Sequence, residues 1–285
     1  MAIPSDLPPI SNRALYAYRV FGKWLSFFYF GITTLILLIL IFPIMRLTIH
    51  PKERFRKYGR RFISASMRVF IRVMSAIGIL KFELSIGITG GNSGGNSDGS
   101  IRSSYRNLKS KIIAANHPSL LDVIMLLSLF PNADCIVNAY VKRSIAGGVV
   151  SQLYIFNSLD FDELSRACTE SLAQGNCLII FPEGTRTPRQ GKAIVKKGAA
   201  RFALASGCGI IPIHIGGTDK YGLGKKDPWT GFNPTEKYVY RIAMKPELDP
   251  SRYRELPGPA AVIAMTKDLS ANLFPGNQSK LLHAR

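Results

Sequence analysis

Hydrophobic positions follow three rhythms along this chain. From Trp24 to Met45 run 22 residues without a charge, about 33 Å as a helix and so long enough to cross a hydrocarbon core. Trp24 and Tyr29 suit an interfacial belt at the entering end. The run is too long for a cleaved signal peptide, and basic residues rather than a small-residue cleavage site follow it. Gly31 and Pro43 leave room for a kinked or re-entrant hairpin, but a spanning helix is the first expectation. The second rhythm is helical. Phe55, Tyr58, Phe62, Val69, Val73, Ile77 and Leu80 recur at helix spacing beside a stripe of Arg54, Lys57, Arg61, Arg68 and Arg72. This predicts a basic amphipathic helix over residues 52–80 lying on anionic lipid, favoured over a solvated surface helix because the apolar run upstream already tethers it.

The third rhythm alternates. Apolar strand-like runs occur at Phe82–Ile88, Lys111–Ala115, Cys135–Tyr140, Cys177–Phe181, Ile210–Ile215 and Tyr238–Met244. Helix-like stretches lie between several of them: Leu120–Leu129, then Phe161–Gln174 and Lys197–Ser206, which Gly175 and Gly207 close. Such alternation predicts an α/β fold, a mostly parallel sheet flanked by helices. The expected organisation is an N-terminal membrane-anchoring region, residues 1–80, and a catalytic domain, residues 81–285. Residues 87–104, rich in Gly, Ser and Asn, read as a flexible loop. Gly91-Asn92-Ser93-Gly94-Gly95 within it matches a nucleophile elbow, but no strand leads in and no helix leads out, so a linker is the better reading.

The formal charge of +19 points to polyanionic partners: nucleic acid, an anionic membrane or an acidic carrier protein. Nine of the cations, against the single acid Glu53, lie between Arg46 and Arg72. Fewer precede the apolar run, so the positive-inside asymmetry places the bulk of the protein in the cytoplasm, in a bacterium at the inner membrane. No helix-turn-helix, zinc or aromatic RNA-binding pattern is present, and no nucleic-acid partner is expected. Cys135, Cys168, Cys177 and Cys208 show no CxxC spacing and read as reduced thiols.

Two strand ends carry the chemistry. The first is Asn116-His117-Pro118-Ser119-Leu120-Leu121-Asp122, between a strand and an apolar helix, where α/β sheets bind ligands. Ser119 reads as the N-cap with Asp122 at the third helical position, from which it can point back at His117. A carboxylate on one imidazole nitrogen leaves the other as a base. Alternatively, Asp122 only caps the helix. The second strand end is Phe181-Pro182-Glu183-Gly184-Thr185-Arg186-Thr187, where Gly184 permits close backbone approach and Arg186 presents a fork suited to phosphate; an ordinary polar turn fits as well. His214 reads as a satisfied core histidine, and no metal site is expected.

Together, NHPSLLD and FPEGTRT resemble the lysophosphatidate (1-acylglycerol-3-phosphate) acyltransferase family, glycerolipid acyltransferases with an H-x4-D dyad. The resemblance covers residues 80–245 and includes Lys196-Lys197-Gly198-Ala199-Ala200 and Ile211-Pro212-Ile213. It implies a membrane-bound acyltransferase needing no cofactor, with acyl-carrier protein or acyl-CoA as co-substrate and membrane lipids as partners. It makes His117 the general base and Asp122 its orienter, assigns Glu183, Gly184, Thr185 and Arg186 to acceptor binding, and places Lys142 near the thioester. One departure stands out. The family's middle motif usually carries an arginine, whereas Leu153-Tyr154-Ile155-Phe156-Asn157-Ser158 has none, which argues for an acceptor with at most one negative charge. The competing readings are a membrane-anchored binder of anionic lipid or nucleic acid, and a thioesterase using the same dyad on water.

Overall fold

The computed structural model describes residues 4–87, 98–137, 147–156, 160–189, 192–275 and 280–281. Helix α1 (Arg13–Ile36) passes through a π-helical turn (Leu37–Ile41) into α2 (Phe42–Thr48). The apolar rod is thus continuous over 36 residues rather than confined to 24–45. Pro43 has no N–H to offer the preceding turn, which accounts for the wider turn beside it. Helix α3 (Lys52–Ala76) then leads into strand β1 (Leu80–Ile86). The amphipathic helix expected to reach residue 80 ends four residues earlier because Gly78 takes φ +75°, the left-handed conformation that terminates helices.

The rest follows as α4 (Asp98–Arg106), β2 (Ile112–Ala115), α5 (Asp122–Leu129), β3 (Ala133–Val137), α6 (Gly147–Leu153), β4 (Ile155–Phe156) and α7 (Phe161–Ala173). Then come β5 (Cys177–Ile180), β6 (Ile194–Val195), α8 (Gly198–Ser206), β7 (Ile210–Gly217), β8 (Tyr238–Met244), a 3-10 turn (Pro250–Tyr253), α9 (Gly258–Leu273) and β9 (Lys280–Leu281). The main sheet has seven strands in the order β1-β8-β7-β2-β5-β3-β4. Every neighbouring pair is parallel except β7 with β8. The fold is therefore the α/β class expected, a mostly parallel sheet flanked by helices.

Alternation along β2 divides the core. Ile113 and Ala115 face the layer of α3, α4 and α5, whereas Ile112 and Ala114 face α7, α8 and α9. One expectation is corrected here. Part of the loop assigned to 87–104 is helix α4, because Ile101 and Tyr105, one turn apart, are buried. The Tyr105 hydroxyl donates to Ser85 O (2.7 Å) and Ile242 O (3.0 Å). The Gly-Asn-Ser-Gly-Gly decoy and Lys142 lie outside the described residues.

Helix α3 is joined to the sheet by a buried ion pair. Arg60 donates to Asp134 Oδ1 (2.6 Å) and to Asn176 Oδ1 (2.9 Å), and the Ser171 hydroxyl also donates to Asp134. Both charged groups are buried, so removing one strands the other. Arg60→Ala should lower the unfolding free energy by about 3–5 kcal/mol in denaturant melts, whereas Arg61→Ala, at an exposed position, should stay within about 0.5 kcal/mol.

Candidate active site

Strands β2 and β5 are adjacent and parallel, with Ile113 opposite Ile179. Their carboxyl ends therefore deliver His117 and Glu183 side by side. The backbone locks the two turns together: Thr187 N–H donates to His117 O at 2.7 Å, and His117 N–H donates to Glu183 Oε1 at 2.9 Å. The Thr187 hydroxyl donates to the same Oε1 at 2.7 Å. Glu183 is buried, and among the described residues its Oε2 has no partner. Burial pushes its carboxyl above the ordinary value, opposed by the bonds from Thr187 and His117. The side chain expected to meet the acceptor thus faces inward and holds the turn that carries His117.

His117 Nδ1 lies 2.9 Å from Asp122 Oδ2. With a carboxylate at that distance, Nδ1 carries the proton and donates, leaving Nε2 as the free lone pair. Phe181 stacks on the imidazole at a centroid distance of 4.2 Å, fixing the ring plane. Asp122 is fully buried and accepts two further bonds, from Ser119 N–H (2.6 Å) and the Ser119 hydroxyl (2.6 Å). This corrects the capping assignment. The N-cap is Leu121 and Asp122 is the first helical residue; Ser119 donates to the carboxylate and accepts the N–H of Leu121.

The polar chain continues inward. Since the Ser119 proton points to Asp122, the Tyr240 hydroxyl is the donor in its 2.6 Å contact with Ser119 Oγ. Above the Tyr240 ring, at 4.5 Å, sits the Lys220 ammonium, which donates to Val239 O (2.9 Å) and Thr218 O. Burial pushes Lys220 down to about 8, with Asp122 and Asp219 opposing the shift. Sequence reasoning found neither Tyr240 nor Lys220: each sits in or beside an apolar strand, and only strand pairing brings them beneath Asp122.

The second turn shows a mixed outcome for its assigned residues. Gly184 has φ +68°, a left-handed backbone that favours glycine, and the Lys196 side chain lies over it. Thr185 is exposed. Arg186 Nη1 donates to Leu223 O (3.1 Å) and Gly224 O (2.9 Å), so one of its nitrogens is committed to the loop between β7 and β8. Arg189, not anticipated, pairs through both nitrogens with Asp219 (2.6 and 2.9 Å) and reaches Asp227 at 3.3 Å. A cleft of about 220 Å³ opens beside the dyad between Pro118, Thr187, Arg189 and Lys220. His214 Nδ1 pairs with Leu273 O at 2.8 Å, the satisfied histidine expected.

A family model described as Acyltransferase matches residues 101–216, which include both turns. Over that segment the chain is similar to acyltransferases. It is 31% identical over 115 residues to the chloroplastic 1-acyl-sn-glycerol-3-phosphate acyltransferase of Arabidopsis thaliana, covering 38% of this chain and 32% of that protein. It is 28% identical over 160 residues to the 1-acyl-sn-glycerol-3-phosphate acyltransferase of Helicobacter pylori, covering 52% of this chain and 65% of that one. The chain thus spans about a third of the length of the plant relative it matches. Its fold is that of the crystal structure of the 1-acyl-sn-glycerophosphate acyltransferase PlsC from Thermotoga maritima, with a TM-score of 0.60 at 20% identity, covering 92% of this chain and all of that one.

Two measurements probe this site. Tyr240→Phe keeps the ring and removes one bond behind Asp122. With a hydrogen bond contributing about 1 kcal/mol, kcat should fall about 3- to 10-fold with KM unchanged. Glu183→Gln tests the clamp. A buried acid with a raised folded value loses stability as pH climbs past its ordinary 4.5 and through that raised value. Glutamine keeps the Oε1 acceptor and has no proton to lose. The two proteins should melt alike near pH 4, and the variant should melt higher at neutral pH; parallel profiles would contradict the assignment.

Proposed function

We propose that this protein is a membrane-bound acyltransferase that moves a fatty acyl chain from a thioester to a hydroxyl of a lysophospholipid or related lipid-like acceptor. The observation that carries the reading is the His117–Asp122 pair, with Nε2 left free at the mouth of a strand-end turn. His117 takes the proton from the acceptor hydroxyl as its oxygen bonds to the thioester carbonyl carbon. The tetrahedral intermediate collapses, the C–S bond breaks, and the leaving thiolate recovers the proton from the imidazolium. Asp122 keeps the tautomer and stabilises the transient cation. No covalent bond to the enzyme forms.

With no arginine in the middle motif, Arg186 supplies one cation for an anionic acceptor. Lys196 folds over Gly184 on the same turn and supports a second, so the acceptor class extends to phosphate monoesters. That the relatives are named 1-acyl-sn-glycerol-3-phosphate acyltransferases supports the same choice.

Membrane attachment rests on the apolar rod from α1 through α2. Only 11% of its most apolar window is buried, unlike a core helix, and Phe21, Phe28, Ile39 and Leu47 are exposed. At 36 residues the rod is about 54 Å long, well over the thickness of a hydrocarbon core. Near its start, the Tyr18 hydroxyl donates to Ile77 O and the Lys23 ammonium to Gly231 O. Near its end, Phe42 packs on Phe55. Both ends therefore touch one body, which favours a helix lying in one leaflet over one that crosses. On that reading, the charge asymmetry around the apolar run no longer reports which side the domain occupies.

The experiment is mass spectrometry of products from purified protein given a labelled acyl thioester and a panel of lysolipids including lysophosphatidate. Acylated lysolipid should form, and His117→Ala should slow it about 100- to 10,000-fold with an unchanged melt. Free fatty acid as the main product, whatever acceptor is present, would make it a thioesterase.

A further inference from the structure

The loop between β7 and β8 has an aromatic and basic tip. Lys225, Lys226, Pro228, Trp229 and Thr230 are all exposed, in a row broken only by Asp227. A single exposed aromatic needs no explanation, but Trp229, 56% exposed, is not isolated. Its ring packs on Trp24 at 6.2 Å and on Phe27 at 6.0 Å between centroids. Trp24 stands about 40° around α1 from Phe28 at 100° per residue, and Phe28 and Phe21 are exposed by 68% and 66%. The apolar surface of α1 therefore continues onto the loop.

The charge of the tip has one sign. Among the described residues, no carboxylate is within ion-pair distance of Lys225 or Lys226. Asp227 is turned inward: its Oδ2 accepts from Gly222 N–H (2.9 Å), Gly224 N–H (3.0 Å) and Arg189 (3.3 Å). What faces outward is a tryptophan with two lysines. Tryptophan favours the boundary between headgroups and hydrocarbon, and lysine favours anionic headgroups.

The base of the same loop reaches the site. Leu223 O and Gly224 O accept from Arg186, and Leu223 O also accepts from Leu120 N–H. The Asp227 bonds tie tip to base, and Lys23 of α1 donates to Gly231 O at 2.5 Å. Whatever holds the tip thus also holds the turns that carry Arg186 and Asp122.

We propose that this loop is a second lipid-contacting element. Trp229 seats among the headgroups of an anionic bilayer, Lys225 and Lys226 pair with those headgroups, and the loop thereby fixes both strand-end turns at the surface from which a lipid acceptor is drawn. This rests on the reading that α1 lies in one leaflet and adds a contact outside the apolar rod.

Trp24 and Trp229 are the two tryptophans of the chain, so Trp24→Phe leaves Trp229 as the sole reporter. That variant is reconstituted in anionic vesicles whose lipids carry bromine near the headgroup or near the chain end. Stronger quenching of Trp229 by the shallow bromines is expected. No quenching in protein that floats with the vesicles would overturn the proposal. Protein that does not float with them would overturn the leaflet reading of α1 as well. The second measurement uses Lys225→Glu/Lys226→Glu/Trp229→Ser, all at exposed positions, with a thermal melt to verify the fold. One lysine near an anionic surface is worth about a fivefold change in affinity. The KM for long-chain lysophosphatidate held in vesicles should therefore rise about fivefold or more, while turnover of a short-chain lysophosphatidate dissolved as monomer should not change. An equal loss with both acceptors would make the loop a support of the fold alone, and no loss with either would remove it from acceptor capture; each overturns the proposal.

Discussion

The site depends on the seam between two turns. His117 sits at the end of β2, and both its N–H and its C=O are bonded to the turn after β5, to Glu183 and to Thr187. Backbone polar groups leaving a buried strand must find partners, and here each turn supplies those of the other. The sheet below is buried on both faces, so the seam rests on a rigid base. The cost is a buried carboxyl with one oxygen unpartnered among the described residues. In exchange, the position of the imidazole depends on main-chain bonds as well as on the dyad.

Behind the imidazole, buried polar groups form a connected path from Asp122 through Ser119 and Tyr240 to Lys220. A half-satisfied path would be worse than an apolar core, and the donor directions close consistently: tyrosine to serine, serine to aspartate, imidazole to aspartate. The loop between β7 and β8 adds a second support. Its carbonyls hold Arg186, and Leu120 N–H donates to Leu223 O. The same loop receives Lys23 of α1 at Gly222 and Gly231, while Trp229 packs on Trp24 and Phe27. At Gly222 a Cβ would approach Gly231 O to 1.9 Å, so the loop is compact where α1 meets it. The N-terminal helix is thereby part of the support of the site, as well as an apolar surface.

Charge is distributed by the same packing. Of the cations in α3, Arg60 is buried against Asp134, Arg68 and Arg72 line the groove beside α4, and Arg54, Lys57 and Arg61 are exposed. The stripe divides between groove and solvent, and Arg60 beside it is buried, because the helix has α1, α5 and solvent around it. Net charge alone pointed only to anionic partners; position divides that charge between a buried ion pair, a groove and open solvent.

Most of the fold was legible because strands buried on both faces write themselves as apolar runs, as in Tyr238–Met244, whose predicted and observed limits coincide. The dyad was legible because five residues of chain across a strand-to-helix turn leave His117 and Asp122 few ways to avoid each other. Helix α4 was not, since Ile101 and Tyr105 reveal their role only when β1 and β8 accept the tyrosine hydroxyl. The inward turn of Glu183, the commitment of Arg186 to carbonyls and the approach of Tyr240 and Lys220 to Asp122 all join residues far apart in sequence. Local pattern carries periods of 2 and 3.6 residues and the preferences of a turn. It carries no record of which strand ends lie side by side, and strand order alone decided which polar groups met.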